Sequence, residues 1–204
     1  MKTEILKIKG DWQEVVDDCR STVGKPPLGH EPSEKFKRDI LIAEHSPIRD
    51  ISIKWIWRGI WSYIATHWSR HKWECFIKSQ RSDRTGVRRN KLPQDAPVDF
   101  TGEANAQNLI DTQRKRLCYT ADPDTRKYAE DLKRTAMQLK GYEQLGWVMV
   151  PNCIYRCGCP EMSRCRFWQD LKARTNGAIL TDSIQDRYDL YNVLFREAHH
   201  GEAE

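Results

Sequence analysis

Ile51, Ile53, Trp55 and Trp57 alternate with Ser52 and Lys54. This two-residue period demands a strand with one buried face, and the rest of the chain has to be arranged around it. Arg58-Gly59 reads as the end of that strand. Ile60, Trp61, Ile64 and Trp68 then recur at the spacing of a helix with one apolar side. A second strand is expected from Trp73 to Lys78, running into a Ser79-Gln80-Arg81 turn.

Between the tryptophan-rich helix and the second strand stand Arg70, His71 and Lys72. Arginine forks match oxyanions bidentately, and backbone N–H groups at a turn add fixed dipoles. Such a cluster can hold a phosphate or a flavin; the alternative is a solvated basic corner.

The remaining elements follow from caps and periodicity. Thr3 to Ile8 reads as a strand ended by Gly10, and Asp11 with Glu14 forms a capping pattern for a helix striped by Trp12, Val16, Cys19 and Val23. Gly24 to Pro32 is loop, and Ser33 caps a helix through Phe36, Ile40 and Ala43 that ends near His45, before Pro47. Residues 82–102 combine Gly, Pro and charge and are expected to form one long basic loop. Ala104 to Leu117 is a helix, and Asp122-Pro123 starts another whose Tyr128, Leu132, Thr135 and Leu139 share a face. Trp147 to Val150 is a short apolar run. A helix is expected after Pro160 through Met162, Phe167, Trp168 and Leu171, and Ser183 caps a last one striped by Ile184, Tyr188, Tyr191 and Phe195. The expectation is an α+β domain over residues 1–204, with a small mixed or antiparallel sheet and several long helices.

Composition narrows the function classes. A chain of 204 residues with 39% hydrophobic content and eight tryptophans can bury a core as one domain. No apolar run reaches the roughly 20 residues that span a bilayer. The N-terminus lacks the apolar core of a signal peptide, so no membrane partner is expected and cytoplasmic residence follows by default. The net charge of +5 is spread among interspersed acids and bases, so nucleic acid is not an expected partner. The local exception is Arg81, Arg84, Arg88, Arg89 and Lys91, offset only by Asp83. This group could steer an anionic nucleotide or cofactor, or could simply be solvated. Cys153, Cys157, Cys159 and Cys165 crowd one segment, 153–165, where either a structural metal such as zinc or reduced thiols can be accommodated.

The residues from Arg70 onward resemble the signature of the flavin-dependent (alternative) thymidylate synthases. That family carries an Arg-His-Arg triplet, a seven-residue gap and a serine followed two positions later by arginine. Here the third basic residue is Lys72 and the gap before Ser79 is one residue shorter. The family's upstream His-x-x-Pro-like element is similar to His45-Ser46-Pro47-Ile48-Arg49-Asp50, and its later Leu-Pro step to Val150-Pro151 with Tyr155 following.

The resemblance implies an oligomeric α+β enzyme that methylates the pyrimidine of dUMP to give dTMP. The implied cofactor is FAD, with NADPH and methylenetetrahydrofolate as co-substrates. It implies that Arg70, His71 and Lys72 contact the flavin, with Arg70 also near the nucleotide. His45 and Ser46 would lie at the flavin or folate ring. His67 would stand beside the pyrimidine, where the family has glutamine, and Ser79, Gln80 and Arg81 would bind the nucleotide phosphate. Ser163 stands nearest the family's flavin-site asparagine, and Arg174 matches the arginine that stabilises charge on the pyrimidine. It also implies a homotetramer whose sites combine residues from several subunits.

Three departures bear on the acceptor. Trp147 stands where the family has a nucleotide-binding arginine, Ile77-Lys78 where it has an acid, and Ser163 where it has asparagine. Another acceptor such as dCMP, or a hydroxymethylated product, therefore stays open. So does a different class, a metal-stapled nucleic-acid-binding protein using the basic loop and exposed tryptophans.

Overall fold

The computed structural model describes residues 2–199 and contains one four-stranded antiparallel sheet within an α+β fold. The strands are β1 (Glu4–Lys9), β2 (Ser52–Trp61), β3 (Glu74–Ile77) and β4 (Pro97–Asn105), in the order β1-β2-β4-β3. Helices α1 (Trp12–Ser21), α2 (Glu34–Ala43), α3 (Ser62–Ser69) and the one-turn α4 (Ser82–Thr85) come before β4. After it follow α5 (Ala106–Arg116), α6 (Pro123–Ala136), α7 (Glu143–Val148), α8 (Asn152–Tyr155), α9 (Phe167–Arg174) and α10 (Ile184–Ala198). The chain divides into two compact units: Met1–Lys37 with Glu44–Leu109, and Arg38–Ala43 with Ile110–Glu204.

The first unit is built on the alternation of β2. Ile53, Trp55 and Trp57 are fully buried, while Ser52, Lys54 and Ile56 occupy the opposite face. The strand does not end at Arg58-Gly59. It continues to Trp61, and the register against β4 shifts between Trp57 and Ile60. Gly59 takes a positive φ of 65° and donates its N–H to Asp99 Oδ1 at 3.0 Å, so the pair forms a bulge rather than a stop. β4 begins inside the expected loop and runs past its end to Asn105, so the helix expected from Ala104 starts at Ala106. Val98, Phe100, Gly102 and Ala104 alternate as its buried face, a pattern masked in the sequence by neighbouring Gly and Pro. Gly102 is required there by close packing, since a Cβ would lie 2.5 Å from the Trp55 ring.

The core of this unit is a tryptophan cluster. Trp57 meets Trp68 at 4.9 Å and stacks on Phe100 at 5.4 Å; Trp73 meets Trp55 at 5.1 Å and Trp68 at 5.6 Å between ring centroids. Aromatic pairs of this geometry contribute about 0.5–1.5 kcal/mol beyond area burial. Trp57 Nε1 donates to Thr3 Oγ1 at 2.8 Å, which satisfies a polar atom that would otherwise be costly inside the cluster.

The second unit is helical, and its core includes an ionisable side chain. Lys133 on α6 is fully buried and donates from Nζ to Gly146 O at 2.8 Å and to Asn192 Oδ1 at 2.6 Å. Asn192 in turn donates to Trp147 O at 2.9 Å and Tyr188 O at 2.8 Å, so one polar knot joins α6, α7 and α10. The buried stripe of α6 is Ala129, Leu132, Lys133 and Ala136, rotated from the expected Tyr128 and Thr135. Arg187 on α10, also buried, donates to Ile154 O and Tyr155 O, satisfying carbonyls at the end of α8, and to Thr181 O ahead of α10.

Candidate functional site

In the first unit the two halves of the basic motif flank β3. Arg70 caps the end of α3 and is exposed. His71 packs against Trp68 at 6.0 Å and Trp73 at 5.2 Å, which plants its ring against the tryptophan cluster. Lys72 lines a cavity of about 400 Å³ together with Ser52, Trp73, Glu74, Glu103, Ala104, Asn105 and Asn108. A hydrogen bond from Lys9 holds the Glu103 carboxyl below its ordinary range, and Lys54 adds to the effect. That carboxylate is therefore an ion-pair partner and not a proton donor.

Ser79, Gln80 and Arg81 follow β3 at its other end. Four residues at about 3.3 Å each place roughly 13 Å of strand between the two halves. Ser79 Oγ accepts from Arg81 N at 3.3 Å, a side chain-to-backbone turn. The Arg81 fork is engaged by Asp83, through Nε at 3.0 Å and Nη2 at 2.8 Å. His67 lies on α3, its ring 5.8 Å from Tyr63. His45 and Ser46 are exposed where the chain enters a short 3₁₀ turn, Ser46–Asp50.

The second unit contains Ser163, Arg174 and the cysteine-rich segment. The helix expected after Pro160 starts later, at Phe167, because Cys157 (φ 50°) turns the chain and residues 158–166 form an irregular loop. Met162 is fully exposed on that loop, and Ser163 is exposed beside it. The loop and α9 enclose a cavity of about 520 Å³, lined by Gly158, Cys159, Arg164, Cys165, Arg166, Trp168, Gln169 and Lys172. Three cations and no carboxylate line it. It also adjoins the start of an eight-residue helix whose N-cap, Arg166, makes no side-chain cap bond. Helix N-termini carry partial positive charge, so the cavity is suited to an anion.

Arg174 is exposed at the end of α9, and its charge is felt at Tyr119. Burial raises the Tyr119 hydroxyl above its ordinary pKa, with Glu130 adding to the rise and Arg126 and Arg174 opposing it. The Tyr119 ring stacks on Phe167 at 4.3 Å and lies under the Arg126 guanidinium at 4.1 Å. Trp147 is turned inward: its Nε1 donates to Asp189 Oδ1 at 2.6 Å, and the Arg38 guanidinium covers its ring at 4.9 Å.

The sequence leaves Cys153, Cys157, Cys159 and Cys165 either as a structural metal site or as reduced thiols. Among the described residues no group of three or more His, Cys, Asp or Glu side chains is placed to hold a metal ion, and all seven cysteines are free. Cys153 sits inside α8, and burial pushes its thiol up to about 12, with Cys118, Cys159 and Cys165 reinforcing the shift.

No protein-family model matches this chain, and no curated protein matches it by sequence. Solved structures do. The flavin-dependent thymidylate synthase ThyX from Helicobacter pylori, complexed with FAD and dUMP, aligns with a TM-score of 0.58 at 11% identity, over 70% of this chain and 97% of that one. PolB from Streptomyces cacaoi, a UMP/dUMP methylase bound with 5-Br dUMP, aligns with a TM-score of 0.56 at 14% identity, over 72% of this chain and 94% of that one. The fold is that of the flavin-dependent thymidylate synthases.

Within this thymidylate synthase fold, the cavity cations Arg164, Arg166 and Lys172 escaped the sequence reading. Alternating arginines just ahead of an apolar helix start were the available signal, and the expectation of a helix from Pro160 onward obscured it. No helix among the described residues is long and apolar enough to cross a membrane.

Proposed function

We propose that the protein is a flavin-dependent methylase of a pyrimidine nucleotide, with dUMP as the acceptor and dTMP as the product. The observation that carries this reading is the carboxylate-free cavity of Arg164, Arg166 and Lys172 at the start of α9, in a fold whose solved examples include one complexed with FAD and dUMP and one bound with 5-Br dUMP. FAD is a dianion at its pyrophosphate, and three cations beside a helix N-terminus match that charge.

Arg164, Arg166 and Lys172 would pair with cofactor phosphate oxygens, with Ser163 supplying a hydroxyl at the rim. His71 has a ring orientation set by Trp68 and Trp73, so it can present a ring nitrogen without losing rotamer freedom on binding. Arg70 and Lys72 add two cations at that position, while Ser79 and Gln80 offer a turn to the nucleotide phosphate. The Arg174 guanidinium would stabilise negative charge on the pyrimidine as its C5 becomes nucleophilic. A bound flavin supplies the two electrons that reduce the transferred one-carbon unit to a methyl group, with NADPH as the ultimate donor and methylenetetrahydrofolate as the carbon donor. In the exchange C5 gains a carbon bond and loses its proton.

Trp147 contributes no cation to the nucleotide, being held inside α7 by Asp189. The turn at Ser79 is left to carry the charge of the nucleotide phosphate. We further propose that the working form is a homotetramer, as the resemblance implies. The test is incubation of the purified protein with FAD, NADPH, methylenetetrahydrofolate and a panel of pyrimidine nucleotides, with mass analysis of the products. Methylation of dUMP supports the assignment. Methylation or hydroxymethylation of dCMP instead corrects the acceptor, and no modified nucleotide with any acceptor refutes the reading.

A further inference from the structure

In the strand order β1-β2-β4-β3, β3 is an edge whose sheet neighbour among the described residues is β4. Lys78 N donates to Asp99 O at 2.9 Å, one step beyond the pairing of Ile77 with Phe100. Along an antiparallel strand, residues bonded to one neighbour alternate with residues that face away from it. Glu74 and Phe76 therefore share the β4 side with Lys78, and the backbone N–H and C=O groups of Cys75 and Ile77 point out of the sheet. The side chains of Phe76 and Ile77 are 60% and 41% exposed, two large apolar groups side by side on this edge. Unpaired edges are commonly blunted by charge or a bulge. The opposite edge, β1, has both: Glu4, Lys7 and Lys9 are exposed, and its register shifts between Ile5 and Lys7. β3 runs in unbroken register against β4 and presents its apolar pair instead.

The partner this edge fits is a second copy of the same strand. Laid antiparallel about a two-fold axis at Phe76, Cys75 faces the partner's Ile77, and Glu74 faces the partner's Lys78. The outward groups of Cys75 and Ile77 then exchange N–H···O=C bonds with the partner's Ile77 and Cys75. Glu74 and Phe76 fall at the non-hydrogen-bonded positions, where opposing side chains come closest. The two Phe76 rings cover each other, and a Glu–Lys pair flanks them on either side. Both charges gain. Glu74 stands opposite Glu103 on β4, a like charge, and exposed Lys78 has Asp99 only at 3.9 Å.

We propose that β3 pairs with β3 of a second copy, and that this pairing completes the basic motif. The inference rests on the reading of that motif as the flavin and nucleotide site. Within one protomer the four residues of β3 keep Arg70 to Lys72 about 13 Å from Ser79 to Arg81. The two-fold axis reverses the strand. In the same register the partner's Ser79, Gln80 and Arg81 follow on opposite Trp73, Lys72 and His71. Each end of the paired strands then joins the cationic half of one copy to the phosphate-binding turn of the other.

Phe76 sits on the axis, at a cross-strand spacing that a disulfide can bridge. Oxidised Phe76→Cys protein should therefore give a covalent dimer on a non-reducing gel, well above any seen in wild type treated alike. In sedimentation velocity, Phe76→Lys should fall to about half the mass of the wild-type assembly. Glu74→Lys should dissociate likewise, and Glu74→Lys with Lys78→Glu should reassociate, a rescue that a folding defect would not reproduce. His71→Ala and Arg81→Ala proteins, each inactive alone, should recover about a quarter of wild-type methylation when mixed, since half the random dimers are mixed and one of their two sites is intact. A monomeric wild type, an undiminished Phe76→Lys assembly or an absent Phe76→Cys cross-link would overturn the pairing. A mixture no more active than its parts, beside an active wild type, would overturn the shared site. Cross-linking through Phe76→Cys in a protein without methylase activity would support the pairing and refute the methylation reading alone.

Discussion

Lys133 Nζ lies 2.6 Å from Asn192 Oδ1, with both side chains buried between α6 and α10. Burial lowers the Lys133 pKa well below that of an ordinary lysine, and the charge of Arg196 adds to the shift. The unfolded chain then binds a proton that the native state does not, throughout the window from the depressed folded value to the ordinary lysine value. Stability should rise with pH across that window. Lys133→Met should remove this rise and leave Gly146 O and the Asn192 amide without their donor, at a cost of about 1–3 kcal/mol for each. Urea unfolding of wild type and variant at neutral and alkaline pH reads both effects. A variant as stable as wild type, with the same pH dependence, would contradict the polar knot.

Gly102 faces the Trp55 ring, and any side chain there must displace it. Gly102→Ala should destabilise the protein by about 1–3 kcal/mol through overpacking. The tryptophan fluorescence should also shift, because Trp55 anchors the cluster. Thermal melting monitored by that fluorescence is the measurement.

Arg174→Ala should lower turnover by about 10²–10³-fold if its charge is used only as the pyrimidine becomes anionic, while FAD still binds. Single-turnover kinetics beside a flavin titration separate the two. Parallel loss of flavin would instead assign Arg174 to cofactor binding.

Cys153 should be the slow thiol of its segment. Its pKa of about 12 and its burial in α8 leave almost no thiolate near neutral pH, whereas Cys157, Cys159 and Cys165 are partly exposed. Iodoacetamide labelling resolved by peptide mass spectrometry should show those three modified well before Cys153. Equal rates for all four would show that α8 opens readily.

Helix starts were legible in the sequence because a cap is a local device. Asp11 accepts from Glu14 N at 2.9 Å, Ser33 from Phe36 N at 3.2 Å, Asp122 from Thr125 N at 2.8 Å and Ser183 from Asp186 N at 3.2 Å, each three residues on. The buried face of β2 was legible for the same reason. What escaped depends on distant partners. Gly59 reads as a stop until Asp99 is there to bond its N–H, and Gly102 reads as a loop residue until Trp55 is seen against it. Lys133 carries no sequence mark of burial, because only Gly146 and Asn192 make its position tolerable. Val23, expected on the stripe of α1, lies past its end and is exposed. Of the candidate site, Arg70 to Lys72 and Ser79 to Arg81 were visible as a motif. That β3 holds the halves apart, and that Arg164, Arg166 and Lys172 share a cavity, required the fold.

The most direct test of the account is a titration of the purified protein with FAD, read by quenching of flavin fluorescence, on wild type and on an Arg164→Gln, Arg166→Gln variant. Saturable, stoichiometric binding by the wild type, weakened at least tenfold in the variant, is the expected result. A wild-type protein that leaves flavin fluorescence unchanged across the titration would contradict the assignment.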